Sequence, residues 1–377
     1  GGEDRPGTGA ARPRPKLPPR TLACTFCGLP RKGRSMGWAL RAHSSLTGSK
    51  KGAGRRAGHC RHHRQCACAA KGAEKLSVPR NLLLSENPDL TFLLVDKKDC
   101  QVAVYRGHPK WEMIAAYPCT TGKVPGDKFK EGDLKTPTGI YWFTDVWSEK
   151  DLIGMYGAKE AKPYGAGAFP LNYPNLMDRL FHNKTGYGIW LHGTEGDQPI
   201  PTEGCVSVSN ENFLEIAQYI QLPNTLILID ESVEKLERHQ HLAEVERLRN
   251  FIVTWIDAWE NPNVDDYINY YSGKFTNENF DKKRWLHYKK RINLRNKSRE
   301  IQASNLTFLY SKGTYFVHFL QKYSSSDFSD LGWKTLYLEF QEDLQDFRII
   351  SENWEPYENL AVIQKTADAS SSETDEI

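Results

Sequence analysis

A chain of 377 residues is long enough for two domains of ordinary size, each with its own core. It contains no apolar run of about eighteen residues, which excludes a helical membrane span. The net charge of +3 hides a division: residues 1–71 carry sixteen Lys/Arg against two acids, which leaves −11 for the other 306 residues.

The basic part has no Ile, Val, Tyr or Asn and is dominated by Gly, Ala, Arg, Pro and Ser. Such a composition buries too little apolar surface to offset chain entropy, so residues 1–75 are expected to be a disordered, basic, Cys/His-containing segment. It holds five of the eight cysteines, among them Cys24, Cys27, Cys60, Cys66 and Cys68. Thirty-two residues separate Cys27 from Cys60, no zinc-finger or ribbon spacing fits, and no metal site is expected. Without aromatic interleaving or a folded scaffold, the charge reads as a solvated arm, and no nucleic-acid partner is expected. Ala67-Cys68-Ala69 has the small residues of a signal cleavage site, but His and Arg precede it in place of an apolar segment, so whether these residues are native stays open.

From Asp89 the composition becomes that of a folded domain. Thr91–Val95, Gln101–Tyr105 and Met113–Tyr117 are short β-prone runs separated by polar turns, a β-meander. Further strands are predicted at Ile140–Val146, Gly188–Leu191, Val206–Val208 and Thr225–Ile229. Cys100 and Cys119 fall on neighbouring predicted strands, where they are either two free thiols or a disulfide.

Tyr187 to Asn210 carries the chemistry. A strand delivers His192 and Gly193 to its end, a Gly/Pro-rich loop follows, and Gly204-Cys205 opens the next strand. A thiol beside an imidazole suggests thiol nucleophilic catalysis, because His takes and returns a proton near neutral pH and the thiolate is the attacking form. Such a pairing is expected to lower the thiol pKa. Gly204 lets backbone approach a substrate carbonyl, with the Gly204 and Cys205 amides as candidate oxyanion donors. Phe213, Ile216, Ala217 and Ile220 recur at helical spacing, with Asn210 as the expected N-cap.

A domain boundary is placed near residue 232. Leu242 to Trp259 forms a wide apolar helical stripe ending at Asn261-Pro262-Asn263, shorter helices are expected at Val264–Tyr271 and Glu278–Arg295, and four strand candidates follow between Ile301 and Trp354. Three helices before an antiparallel meander make an α+β layout. Asp368 to Ile377 reads as the end of a tail.

His192-Gly193-Thr194, followed by Thr202-x-Gly204-Cys205-Val206-x-Val208-x-Asn210, resembles the signature of the YkuD-type L,D-transpeptidase family. Gly132–Tyr141, with Thr136-Pro137-Thr138-Gly139-Ile140-Tyr141, resembles its second block. Glu203 stands where most members have His, and Ser207 where many have Arg. Together with Phe169–Asn175, this is similar to the branch of cell-shape L,D-carboxypeptidases. Trp255-x-x-Ala258-Trp259 and Tyr267-x-x-Tyr270-Tyr271 resemble the opening of an NTF2/SnoaL-like domain.

The resemblance implies a mainly β YkuD-like catalytic domain over 89–231, an α+β NTF2-like cone over 240–357 and a tail over 358–377. It implies Cys205 as nucleophile, His192 as base, Gly193 and Gly204 as catalytic backbone, and Tyr173, Glu203, Ser207 and Asn210 on the substrate side. The implied substrate is a peptidoglycan stem peptide, cleaved between positions three and four with no cofactor, in the periplasm or cell envelope. An amine acceptor makes the enzyme a transpeptidase, and water makes it a carboxypeptidase. A catalytically silent wall-binding protein is the reading from another class. The second domain is expected to contact a ligand or protein, or to form a homodimer.

Overall fold

The computed structural model describes residues 77–357 apart from 108, 109, 197, 296 and 297. The basic segment 1–75 and the tail 358–377 lie outside the described residues, as do the expectations placed on them.

The chain starts with β1 (Ser77–Pro79) and β2 (Leu82–Ser85), then the meander β3 (Thr91–Asp96), β4 (Gln101–Arg106) and β5 (Glu112–Pro118). Next come β6 (Gly139–Trp142), β7 (Trp147–Ser148), α1 (Glu149–Tyr156), α2 (Ala158–Ala161), a 3-10 turn at Lys162–Tyr164, β8 (Gly167–Pro170) and α3 (Leu176–Leu180). The central stretch supplies β9 (Trp190–His192), β10 (Val206–Ser207), α4 (Asn210–Ala217), β11 (Leu226–Asp230) and β12 (Lys235–Glu237). The second half holds α5 (Arg238–Glu260), α6 (Val264–Ile268), α7 (Lys282–Arg295), β13 (Arg299–Ser311), β14 (Thr314–Ser325), β15 (Ser329–Gln341) and β16 (Asp346–Pro356).

Two sheets form the first domain, one ordered β5-β4-β3-β11-β6 and the other β10-β9-β8-β7. Apolar side chains from both, with Phe213 and Ile216 of α4, meet in one core. The expected strand over 140–146 stops at Trp142, and β7 pairs with β8 in the other sheet. Ser209, not Asn210, caps α4 by accepting from the Asn212 amide. That shift leaves the Asn210 side chain free for a different task.

The runs 91–95 and 226–229 are apolar on both faces for a structural reason. Side chains alternate along a strand, so Leu93, Val95, Ile227 and Ile229 enter the first-domain core. Phe92, Leu94, Leu226 and Leu228 point the other way and meet Leu82, Leu309 and Phe316 of the C-terminal sheet. The domains therefore share an apolar interface.

The C-terminal sheet is antiparallel, ordered β16-β15-β14-β13-β2, and packs on α5 through Leu248, Phe251, Ile252, Trp255 and Trp259. The edge strand β2 comes from the N-terminal end of the described chain, pairing Leu84 with Phe308, and β1 pairs with β12. Neither strand stands out in the sequence, because each is short and its partner lies more than 150 residues away. Cys100 and Cys119 are free thiols joined only through the backbone, where the Cys119 amide donates to Cys100 O at 2.9 Å.

Candidate active site

β9 and β10 run parallel, with Leu191 opposite Val206 and His192 opposite Ser207. Leu191 and Val206 enter the first-domain core, whereas Trp190 and Cys205 belong to a second cluster with Leu152, Ala161, Ala168, Trp147 and Tyr164. By strand alternation His192 shares this second face, diagonally across the strand pair from Cys205. Tyr164 joins them: its ring meets the His192 ring edge-on at 5.3 Å and lies 4.8 Å from the Trp190 ring. The 3-10 turn carrying Tyr164 gives no periodic signal, so the residue escapes a reading based on spacing.

His192 is buried, and its Nδ1 lies 2.5 Å from Gly193 O. A carbonyl only accepts, so Nδ1 carries the hydrogen and Nε2 keeps the lone pair, which makes Nε2 the basic atom. Burial pushes the imidazole down to about 4, against the hydrogen bond to Gly193. Burial also pushes the Cys205 thiol up to about 11; the Trp190 backbone and Lys128 pull it down, and Glu203 adds to the rise. The resting pair is therefore a neutral thiol and a neutral imidazole at neutral pH, not the lowered thiol expected from the pairing alone. Desolvation of both groups is the reason.

Cys205 is half-buried, and its Sγ donates to Gly188 O at 3.5 Å. Its carbonyl accepts from Thr202 Oγ1 at 2.7 Å and Thr136 Oγ1 at 3.4 Å, and Thr136 Oγ1 in turn accepts from the Gly122 amide at 2.8 Å. The Thr-Pro-x-Gly block thus acts as the platform beneath the thiol residue. Thr202 Oγ1 also accepts from the Gly204 amide at 3.0 Å, which takes that amide out of the expected pair of oxyanion donors. The Cys205 amide has no hydrogen bond among the described residues and stays available.

Asn210 is a bracket. Its Oδ1 accepts from the Ala166 amide at 2.8 Å and the Thr194 amide at 3.2 Å, tying the end of β9 to the start of β8. A side chain at Gly193 would collide with this oxygen at 2.4 Å, so the small residue after His192 is required by the bracket. Ser207 is fully buried, with no hydroxyl partner among the described residues, so it lines no surface. Tyr173 is likewise a core residue: it is buried, packs edge-on against Tyr141, and donates from its hydroxyl to Thr185 O at 3.1 Å. These placements remove both residues from a substrate-facing role. Glu203 points to solvent and pairs with Lys123 at 3.7 Å.

Lys128 was not marked by any motif, yet it sits under the site. Its Nζ donates to Asp133 Oδ1 at 2.8 Å and Lys130 O at 3.2 Å, and lies 3.7 Å from where a Cβ on Gly204 would stand. Among the described residues no cluster of three or more His, Cys, Asp or Glu is placed to hold a metal ion.

Residues 91–229 match the L,D-transpeptidase catalytic domain family YkuD, and residues 247–353 match the Cds6 C-terminal NTF2-like domain. The chain belongs to the YkuD L,D-transpeptidase family, with an NTF2-like domain following the catalytic fold. Among solved structures it is similar to Bd1075 of Bdellovibrio bacteriovorus, at 32% identity over 74% of this chain and 99% of that one, with a TM-score of 0.65. It is also similar to Pgp2 of Campylobacter jejuni, a helical cell shape determining protein, at 26% identity over 73% and 95% of the two chains and a TM-score of 0.60. No curated protein sequence gives a significant match.

Proposed function

We propose that this protein is a cysteine enzyme of the bacterial cell envelope that cleaves the bond between positions three and four of peptidoglycan stem tetrapeptides. The observation that carries the reading is the parallel register of β9 and β10, which brings His192 and Cys205 to one face beneath an aromatic wall.

In this reading Cys205 Sγ attacks the carbonyl carbon of the position-three residue while its proton passes to His192 Nε2. The Cys205 amide faces the developing oxyanion. The imidazolium then protonates the departing amine of D-alanine, leaving an acyl-enzyme thioester. Gly193 O holds the imidazole in the required tautomer at every step, and Asn210 holds the turn that carries Gly193. An amine from a second stem resolves the thioester to a 3-3 crosslink, and water resolves it to a tripeptide. Similarity to a helical cell shape determining protein favours a role in cell shape.

The NTF2-like domain acts in this reading as a binding module. Inside the cone Lys289 Nζ lies 4.2 Å from the Trp259 ring centre and 4.6 Å from that of Trp285. Arg299 Nε and Nη2, Gln321 Oε1, Tyr323 OH and Asp330 Oδ1 are buried there or nearby without partners among the described residues. Buried polar atoms normally find partners, so this set favours a polar ligand over a protein interface.

The test is incubation of the protein with purified tetrapeptide stems and mass spectrometry of the products, with Cys205→Ala as the blank. Tripeptide that depends on Cys205 supports the carboxypeptidase. A dimer lighter by one D-alanine assigns transpeptidation instead. No Cys205-dependent product from monomeric or crosslinked stems overturns the enzyme reading and leaves a wall-binding protein.

A further inference from the structure

Lys128 is 77 residues before Cys205 in sequence and is 3% exposed. A lysine at such depth needs an explanation, since burying an ammonium is costly unless it is paired. Asp133 supplies part of one, but this carboxylate is shared. Asp133 also accepts from the Phe129, Lys130 and Lys135 amides at 2.8, 3.1 and 3.2 Å, so four donors divide its charge. Lys128 uses two of its three hydrogens on Asp133 and Lys130 O. The ammonium stands 3.7 Å from where a Cβ on Gly204 would lie, against the turn that presents the thiol, and its charge favours a negative charge on Cys205.

We propose that Lys128 is a positioning residue for the nucleophile: its buried ammonium is the cation toward which the Cys205 thiolate forms. The proposal rests on the reading of Cys205 as nucleophile. The proton leaves Sγ for His192 Nε2; Lys128 keeps all its protons and forms no bond to substrate.

The other groups facing the thiol cannot take this part. His192 receives the proton, Tyr164 contributes its ring to the wall, Glu203 carries charge of the wrong sign, and the ammonium of Lys123 is half-exposed and paired with Glu203 at 3.7 Å, where solvent screens it. Position 207, on the same face, is an uncharged Ser. The chain therefore supplies its cation from the 126–138 loop, whose Thr136 also fixes the Cys205 carbonyl. One loop thus sets both the place of the thiol and the field around it.

The experiment is the rate of iodoacetamide alkylation at Cys205 between about pH 7 and 9, below the thiol inflection, where log rate rises with pH and a vertical offset reads the pKa change. Mass spectrometry of the Cys205 peptide separates it from exposed Cys100 and the other thiols. Lys128→Met is expected to slow alkylation about tenfold at a given pH, and Lys128→Arg to keep the rate within about twofold. Asp133→Asn, which unshields the ammonium, is expected to speed alkylation several-fold. Opposite signs for the two single variants are the signature of a field, because mere loosening of the site shifts both the same way. The double variant Lys128→Met/Asp133→Asn leaves no orphan charge; it is expected to stay folded by circular dichroism and to remain slow. Wild-type rate in the folded double variant, or shifts of one sign in both single variants, overturns the proposal. Alkylation does not require turnover, so a wild-type protein inactive on stems sinks the proposed function through a separate readout.

Discussion

Gly204 has a backbone φ of +143°, and a methyl group there would lie 2.9 Å from Lys135 O and 3.1 Å from Ile189 Cδ1. Both obstacles are built in: one is backbone and the other is a core side chain. Gly204→Ala is therefore expected to cost about 1–3 kcal/mol of stability through strain. Because the turn presents Sγ, it should also lower Cys205-dependent cleavage by more than about tenfold at temperatures where the variant is folded. Denaturant unfolding and product formation measure the two effects separately, and full activity would show that the turn tolerates displacement. Sequence marked Gly204 because a glycine before a nucleophile is a recognisable demand on the backbone. It did not show that Thr202 claims the Gly204 amide, since that depends on a rotamer.

The 122–138 loop is the element that joins the site to the rest of the fold. Lys97 Nζ donates to Gly126 O at 2.7 Å and Thr136 O at 2.8 Å, and the Thr138 amide donates to Asp127 Oδ1 at 2.7 Å. Asp127 also pairs with buried Lys184 at 3.0 Å and with Lys312 at 2.7 Å, the latter from the β13–β14 turn of the second domain. These two pairs differ in worth. Lys312 is half-exposed, so Lys312→Met should change stability by less than about 1 kcal/mol. Asp127→Asn takes a carboxylate from buried Lys184, leaving it only Asp178, and should cost about 3 kcal/mol. Urea unfolding of both variants checks the order, and equal losses would mean that the interdomain pair matters as much as the buried one. Only the Gly132–Tyr141 block with its Thr-Pro-x-Gly run stands out in the sequence. The lysines do not, because a lysine's burial is decided by what folds over it.

At the scale of the whole molecule, the interface between domains contains a pH-sensitive group. His318 of β14 stacks on Trp333 at 4.7 Å, meets Trp142 of the catalytic domain edge-on at 5.1 Å, and shares a hydrogen bond with Thr335 Oγ1 at 2.9 Å. Burial pushes it down to about 3, as burial pushes His192 down to about 4. A lowered histidine is neutral in both states above its unfolded value of about 6.5, so it is without effect there. As pH falls from about 6.5 toward the folded values, only the unfolded chain gains the proton and stability drops. Each histidine is expected to remove about 2 kcal/mol by pH 5, and His318→Gln to recover its share. Unfolding free energies measured at about pH 7.5 and pH 5 decide this; a variant with the wild-type pH slope would show that His318 protonates without leaving its stack.

The sequence by itself determined the two-domain order, the β-meander, the long amphipathic helix and the pairing of a histidine motif with a cysteine motif. These depend on local periodicity and on residue types with narrow chemical uses. Tertiary structure decided what depends on distant partners. The apolar faces of β3 and β11 are divided between two cores because a second sheet covers one of them, and β2 completes that sheet from the other end of the chain. Tyr173 and Ser207 are buried, Asn210 braces a turn, and Lys128 stands against the Gly204 turn for the same reason. A side chain's exposure and electrostatic surroundings are set by elements distant in the sequence, and no local pattern encodes which of them will pack against it.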